Sequence, residues 1–169
     1  ALVERLAARG AEVHLYARKW SGQPSNDIEL HRVGGPSWPA ILGYASFVFL
    51  VGRFVGKMHF DLVQSNERTL CQDVYRAGDG VHARWLELRA RRLGSLRRLS
   101  LSWNPFHLFR LWLERRLFED PALKAVIVNS EMVRQEILSR FGIEAARIHT
   151  IYNGVDLNRF HPGRRGTEG

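Results

Sequence analysis

The stretch Ala77-Gly78-Asp79-Gly80-Val81-His82 gathers residue types that can do chemistry. Asp79 is a carboxylate between two glycines, and an imidazole, His82, follows three residues later. A carboxylate can orient a hydroxyl-bearing ligand, and an imidazole can hold a proton near neutral pH. Gly78 and Gly80 carry no Cβ, so a ligand can come close to the backbone there. Asp and Gly are also ordinary turn formers, and His82 suits a solvated helix start. The hexapeptide by itself therefore leaves both a site and a turn open. Two further pairs close apolar runs. Asn129-Ser130 follows Ala125–Val128, and Ser130 is placed to cap the next helix. Asn153-Gly154, with Asp156 just beyond, is a strong turn signal because both residues tolerate positive φ.

Charge supplies a second chemical feature. Between His82 and Phe118 lie nine arginines opposed only by Glu87 and Glu114, which accounts for most of the net charge of +8. Such a patch attracts anions: phospholipid headgroups, nucleic acid or phosphorylated substrates. Arg110, Trp112, Arg115 and Arg116 share a segment with Phe106, Leu108 and Phe109. Aromatics interleaved with arginines on a helix suit an anionic membrane interface. The same apolar stripe would also serve core packing, with arginine stems covering it. No recognised nucleic-acid motif accompanies the charge, so nucleic acid is not the expected partner.

Length and composition bound the rest. A chain of 169 residues fits one domain with a real core. The single cysteine, Cys71, rules out an intramolecular disulfide and reads as a small packed residue. The seven histidines are scattered and show no zinc-site spacing, so no metal site is expected. The apolar run Ile41–Val51 is shorter than the roughly 20 residues a membrane span needs. No signal-peptide pattern opens the chain.

These groups must be positioned by elements that the periodicity marks out. Residues 1–10 read as a helix ended by Gly10, 11–18 and 28–33 as strands, and 39–57 as a long apolar helix. A short strand at 61–65 and another from 71 lead into the Asp79 loop. Two arginine-rich helices, 81–98 and 105–119, are separated by Ser-Trp-Asn-Pro. Residues 124–130 form a continuous apolar strand of the kind buried in a parallel sheet, followed by a helix over 131–142 and the last strand with its turn over 147–154. This alternation predicts an α/β fold with a Rossmann-like, doubly wound parallel sheet. Neither a G-x-G-x-x-G nor a P-loop pattern is present, which disfavours a nicotinamide-dependent domain.

The segment 125–162 resembles the end of the N-terminal domain of family 4 glycosyltransferases, which have the GT-B fold. The features that carry the resemblance are the apolar strand Val126–Val128, Asn129-Ser130, the strand Ile148–Tyr152, the turn Asn153-Gly154-Val155-Asp156, and Phe160 with Pro162. Leu2–Arg18 also looks like that family's first helix and second strand, so the likeness covers most of the chain. The stretch 61–82, with Asp73, Tyr75 and Asp79, resembles more loosely the lipopolysaccharide-core sugar transferases.

The resemblance carries a set of expectations. Residues 1–162 are the acceptor-side domain of a GT-B enzyme, truncated at its start, and 163–169 are a linker or tail. The first strand and the donor-binding C-terminal domain lie outside the chain, which is then a fragment, inactive alone. The whole enzyme moves a hexose from a nucleotide diphosphate sugar, its substrate rather than a cofactor, to a glycan or lipid-linked acceptor, with retention. Asp79 and His82 are the catalytic candidates. Tyr75, Gly78, Gly80, Asn129 and Ser130 line the acceptor side, and Asn153, Gly154 and Asp156 set the interdomain turn. Arg110, Trp112, Arg115 and Arg116 face a membrane. The expected location is cytoplasmic, peripheral on the inner face of the cytoplasmic membrane. The rival expectation is a non-catalytic basic module that docks on anionic membranes.

Overall fold

The structure, a computed structural model, describes residues 2–21, 27–36 and 38–154. Helix α1 (Leu2–Ala7) leads through a turn at Gly10, whose φ of +87° would strain any residue with a Cβ. Strand β1 (Val13–Ala17) pairs in parallel with β2 (Ile28–Arg32), Val13 lying opposite Ile28. Helix α2 (Ala40–Val55) follows. A second parallel sheet has the order β3 (Gln64–Ser65), β4 (Val74–Ala77), β5 (Ala125–Val128), β6 (Ile148–Thr150). Between β4 and β5 run α3 (His82–Arg91), α4 (Ser95–Ser102) and α5 (Pro105–Phe118). Helix α6 (Glu131–Arg140) and a 3-10 turn join β5 to β6.

Mixed α/β structure with parallel strands is thus what the alternation predicts. The strands fall into two hydrogen-bonded sets, and packing by α2 links them. Its buried stripe, Gly43, Phe47 and Val51, follows helical spacing. This stripe gathers Val33 and Tyr16 from the β1–β2 side and Cys71 from the approach to β4. Burial pushes the Cys71 thiol up, in keeping with a packed, inert residue. Among the described residues no helix is long and apolar enough to cross a membrane.

The core of the larger sheet sits under β5. Val126 and Val128 are fully buried beneath Leu117 and Phe118 of α5 and Val133 and Ile137 of α6. Two elements differ from the sequence expectation. The single helix expected over 81–98 breaks into α3 and α4 at Gly94, which is extended at φ −68°, ψ 164° and caps α4; glycine disfavours a helix interior. The strand expected over 61–65 shortens to two residues. Asp73 Oδ2 takes the Val63 N–H at 2.9 Å, so a side chain occupies that position in place of a ladder bond. Lys124 Nζ, 2.8 Å from Asp73 Oδ1, holds that carboxyl below its usual range, with the Val63 N–H acting the same way.

Candidate functional site

Parallel strands send their following loops to one edge of the sheet, where open α/β folds take ligands. Here the loops after β4, β5 and β6 meet. Asn129 Nδ2 donates to the Gly78 carbonyl at 3.1 Å, tying the β5 and β4 loops together. Arg76 Nη2 donates to Asn153 Oδ1 at 3.0 Å, tying in the β6 end. Ser130 accepts the Val133 N–H at 3.3 Å, as an N-cap does. Gly80 has φ +72°, and a Cβ there would meet Val133 Cγ2 at 3.6 Å. The backbone angle, more than crowding, selects glycine. At the tip Asp79 is exposed and forms no hydrogen bond or ion pair with a described residue. Gly78, Asp79, Gly80, Asn129, Ser130 and Asn153 therefore cluster at one edge, with Gly154 next in the chain. Asp156 lies outside the described residues, as do Val155, Phe160, Pro162 and the tail 163–169.

Beneath this loop lies a buried charge pair that the sequence did not reveal. Glu114 on α5 is 1% exposed and Arg68, on the segment between β3 and β4, is 3% exposed. Arg68 Nε donates to Glu114 Oε1 at 3.1 Å, and Arg68 Nη2 donates to the Gly80 carbonyl at 2.8 Å. Glu114 also accepts the first N–H groups of α3, from His82 at 2.7 Å and Ala83 at 3.2 Å. An internal carboxylate thus caps α3, which offers no side-chain cap of its own. One ion pair holds both sides of the turn: Arg68 grips the carbonyl before it enters the helix, and Glu114 grips the amides after.

His82 is buried at the start of α3, not solvated there. Its Nε2 lies 3.2 Å from His107 Nδ1, and its ring stacks on Trp85 at 5.5 Å. Burial first, then the charges of Arg110 and Arg68 and the neighbouring His107, push its pKa down to about 4. The imidazole is neutral at pH 7. The unfolded chain, with an ordinary histidine near 6.5, binds a proton between those values that the folded chain refuses. The stability tied to His82 is therefore complete above about pH 6.5 and is lost as pH falls toward 4. His82→Asn is expected to flatten the slope of unfolding free energy against pH in that window by up to about one proton. Urea titrations at several pH values measure it, and an unchanged slope contradicts the assignment.

Tyr75 does not line the edge. It is 2% exposed and packs edge-to-face on Phe118 at 5.8 Å. Burial pushes its hydroxyl up to about 12, so it is a neutral core residue. Strand alternation explains this: exposed Arg76 and buried Tyr75 point to opposite faces of β4. A shallow cavity of about 230 Å³ lined by Phe118, Pro121, Ile143 and Arg147 lies near the opposite, amino ends of β5 and β6. It is remote from Asp79.

The arginine-rich helices divide in the same way. Trp112, Arg115 and Arg116 are exposed, with Arg115 Nε bonded to Glu119 at 2.9 Å. Trp85, Leu88, Leu99, Trp103 and Leu108 are exposed as well, and the Arg89 guanidinium lies 5.0 Å over the Trp85 ring. Arg110 turns inward instead. Its guanidinium sits 6.0 Å from the Tyr44 ring and 5.8 Å from the Phe106 ring, which removes it from the expected outer face.

The profile described as Glycosyltransferase Family 4 matches residues 1–159. No curated protein sequence matches. Among solved structures, the crystal structure of WaaG, a glycosyltransferase involved in lipopolysaccharide biosynthesis, superposes with a TM-score of 0.78 at 23% identity. The match covers 94% of this chain and 41% of that one, so the chain spans about two fifths of the solved protein. At that identity the likeness shows the fold, that of a GT-B N-terminal domain.

Proposed function

We propose, for a chain that belongs to glycosyltransferase family 4, the role of the acceptor-side domain in a hexosyltransferase. Residues 1–162 make up that domain, and the nucleotide diphosphate sugar is substrate, not a resident cofactor. Asp79 is the observation that carries the reading. An exposed carboxylate without a described partner stands on a glycine-flanked loop at the carboxyl edge of a parallel sheet. In the reaction an acceptor oxygen bonds to the anomeric carbon of the donor sugar. The bond from that carbon to the diphosphate breaks, and the nucleotide diphosphate leaves. The hydroxyl proton passes to the leaving phosphate oxygen, and configuration is retained. Asp79 orients the acceptor hydroxyl, which suits a group not required to be a strong base. Gly78 and Gly80 admit the ligand to the backbone, and Asn129 holds Gly78 in place. His82, neutral and buried, steadies the loop from below.

The lipopolysaccharide role of WaaG supports an envelope glycan or its lipid-linked precursor as the acceptor class. The exposed Trp112, Arg115 and Arg116 of α5, with Trp85 of α3 and Trp103 after α4 exposed as well, support docking on an anionic membrane from the cytoplasmic side. The same exposed residues favour the second reading, a basic module that docks without catalysis. One experiment separates them. The full-length protein is incubated with labelled nucleotide sugars and lipid-linked or core-glycan acceptors on anionic vesicles. Sugar transfer together with salt-sensitive sedimentation is the expected result. Sedimentation without transfer from any donor leaves the module, and the absence of both transfer and sedimentation sinks both readings.

A further inference from the structure

The β1–β2 pair assembles a donor set that belongs to none of the chemistry above. Alternation puts His14 and Tyr16 of β1 on the same face as Glu29 and His31 of β2, with His14 opposite Glu29 and Tyr16 opposite His31. His14 Nδ1 lies 2.9 Å from His31 Nε2. Glu29 reaches both, with Oε2 at 3.4 Å from His14 Nδ1 and Oε1 at 3.4 Å from His31 Nε2. The other ring nitrogen of His14, Nε2, is 3.1 Å from Glu12 Oε1. This contact turns Nε2 toward the Glu12 carboxylate and leaves Nδ1 as the nitrogen that faces Glu29 and His31. A carboxylate behind a histidine in this way both orients the ring and makes it a better ligand. Aromatic walls hold the imidazoles: Tyr16 stacks on His31 at 4.6 Å, and Phe60 meets His14 edge-on at 5.2 Å.

We propose that His14, Glu29 and His31 form a binding site for a divalent transition cation of the zinc type, with water in the fourth position. Two imidazoles and one carboxylate select zinc or its neighbours over magnesium and calcium, which prefer all-oxygen sets. Tetrahedral coordination at zinc bond lengths sets ligand atoms about 3.3 Å apart. Glu29 brings one oxygen to 3.4 Å from each ring, Oε2 to His14 Nδ1 and Oε1 to His31 Nε2, and one donor atom from each of the three residues lies within 4.8 Å of the others. The two ring nitrogens, 2.9 Å apart, are in hydrogen-bond contact and separate by about 0.4 Å when one ring rotates to take an ion. Glu29 and Glu12 together balance the ion's two positive charges. The bound ion cross-links β1 to β2, whose ladder is separate from the larger sheet. The seven histidines read as scattered because ligands 17 residues apart meet only through the strand register.

This inference does not rest on the transferase reading. The full-length protein, stripped with chelator, is titrated with Zn²⁺ by calorimetry and with Co²⁺ by absorbance. One equivalent is expected to bind, with visible d–d bands and a higher Tm. Glu29→Gln, a change at a side chain 63% exposed, and His31→Gln are each expected to abolish that equivalent. Glu12→Gln is expected to weaken it by about 10- to 100-fold. Absence of saturable binding to the wild-type protein overturns the proposal. So does binding that survives unchanged in folded Glu29→Gln and His31→Gln.

Discussion

Replacing Glu114 with alanine is expected to destabilise the protein by about 3–5 kcal/mol, the cost of breaking a buried ion pair from one side. The change strips three donors of their acceptor: Arg68 Nε, His82 N and Ala83 N. Arg68 is then a buried cation whose remaining hydrogen bond in the structure is to the Gly80 carbonyl. Two amides at the start of α3 are orphaned in the same place, where water is scarce. Urea unfolding followed by far-UV circular dichroism reads the effect as a fall in midpoint at constant slope. A loss under about 1 kcal/mol would show that the pair is not the clamp described. The double variant Arg68→Met with Glu114→Leu tests the cause. It removes the uncompensated charge but not the need for a cap, so it is expected to recover most of the loss, though not all of it.

Asp79→Ala is expected to do the opposite: leave stability within about 0.5 kcal/mol and lower kcat/KM of the full-length enzyme about a hundredfold. The physical reason is the isolation of this carboxylate. It is exposed and has no described partner in the fold, so the folded state loses nothing when it goes. A group that orients the acceptor, in contrast, contributes only when substrate is bound. Asp79→Asn keeps the shape and is expected to recover part of the activity if hydrogen bonding, not charge, does the orienting. The turn reading of Ala77–Val81 makes a different forecast, in which stability falls and activity follows only in proportion. Turnover unchanged in a folded Asp79→Ala removes this residue from the site and leaves family membership untouched. Loss of Glu114 and loss of Asp79 thus separate the part that holds the loop from the part that uses it.

The portion of the chain legible without a structure is the portion whose signals are local. Ser130 caps α6 because an N-cap is satisfied three residues away. The run Ala125–Val128 becomes the inner strand β5 because continuous apolar residues suit a strand paired on both edges within a parallel sheet. Asn104 and Pro105 start α5 for equally local reasons. The Asp79 loop stands where a strand-to-helix connection must. Glu114 was a different matter. Counted along the chain, it is one of two acids opposing nine arginines between His82 and Phe118. In the fold it is buried and paired with an arginine 46 residues away. The two histidines of β1 and β2 meet only through strand register, and Arg110 and Tyr75 face inward for reasons of packing. A charged or aromatic side chain has the same local propensity in water as in a core. Which of the two it meets depends on how distant segments pack, and that information is spread over contacts that no window of neighbouring residues contains.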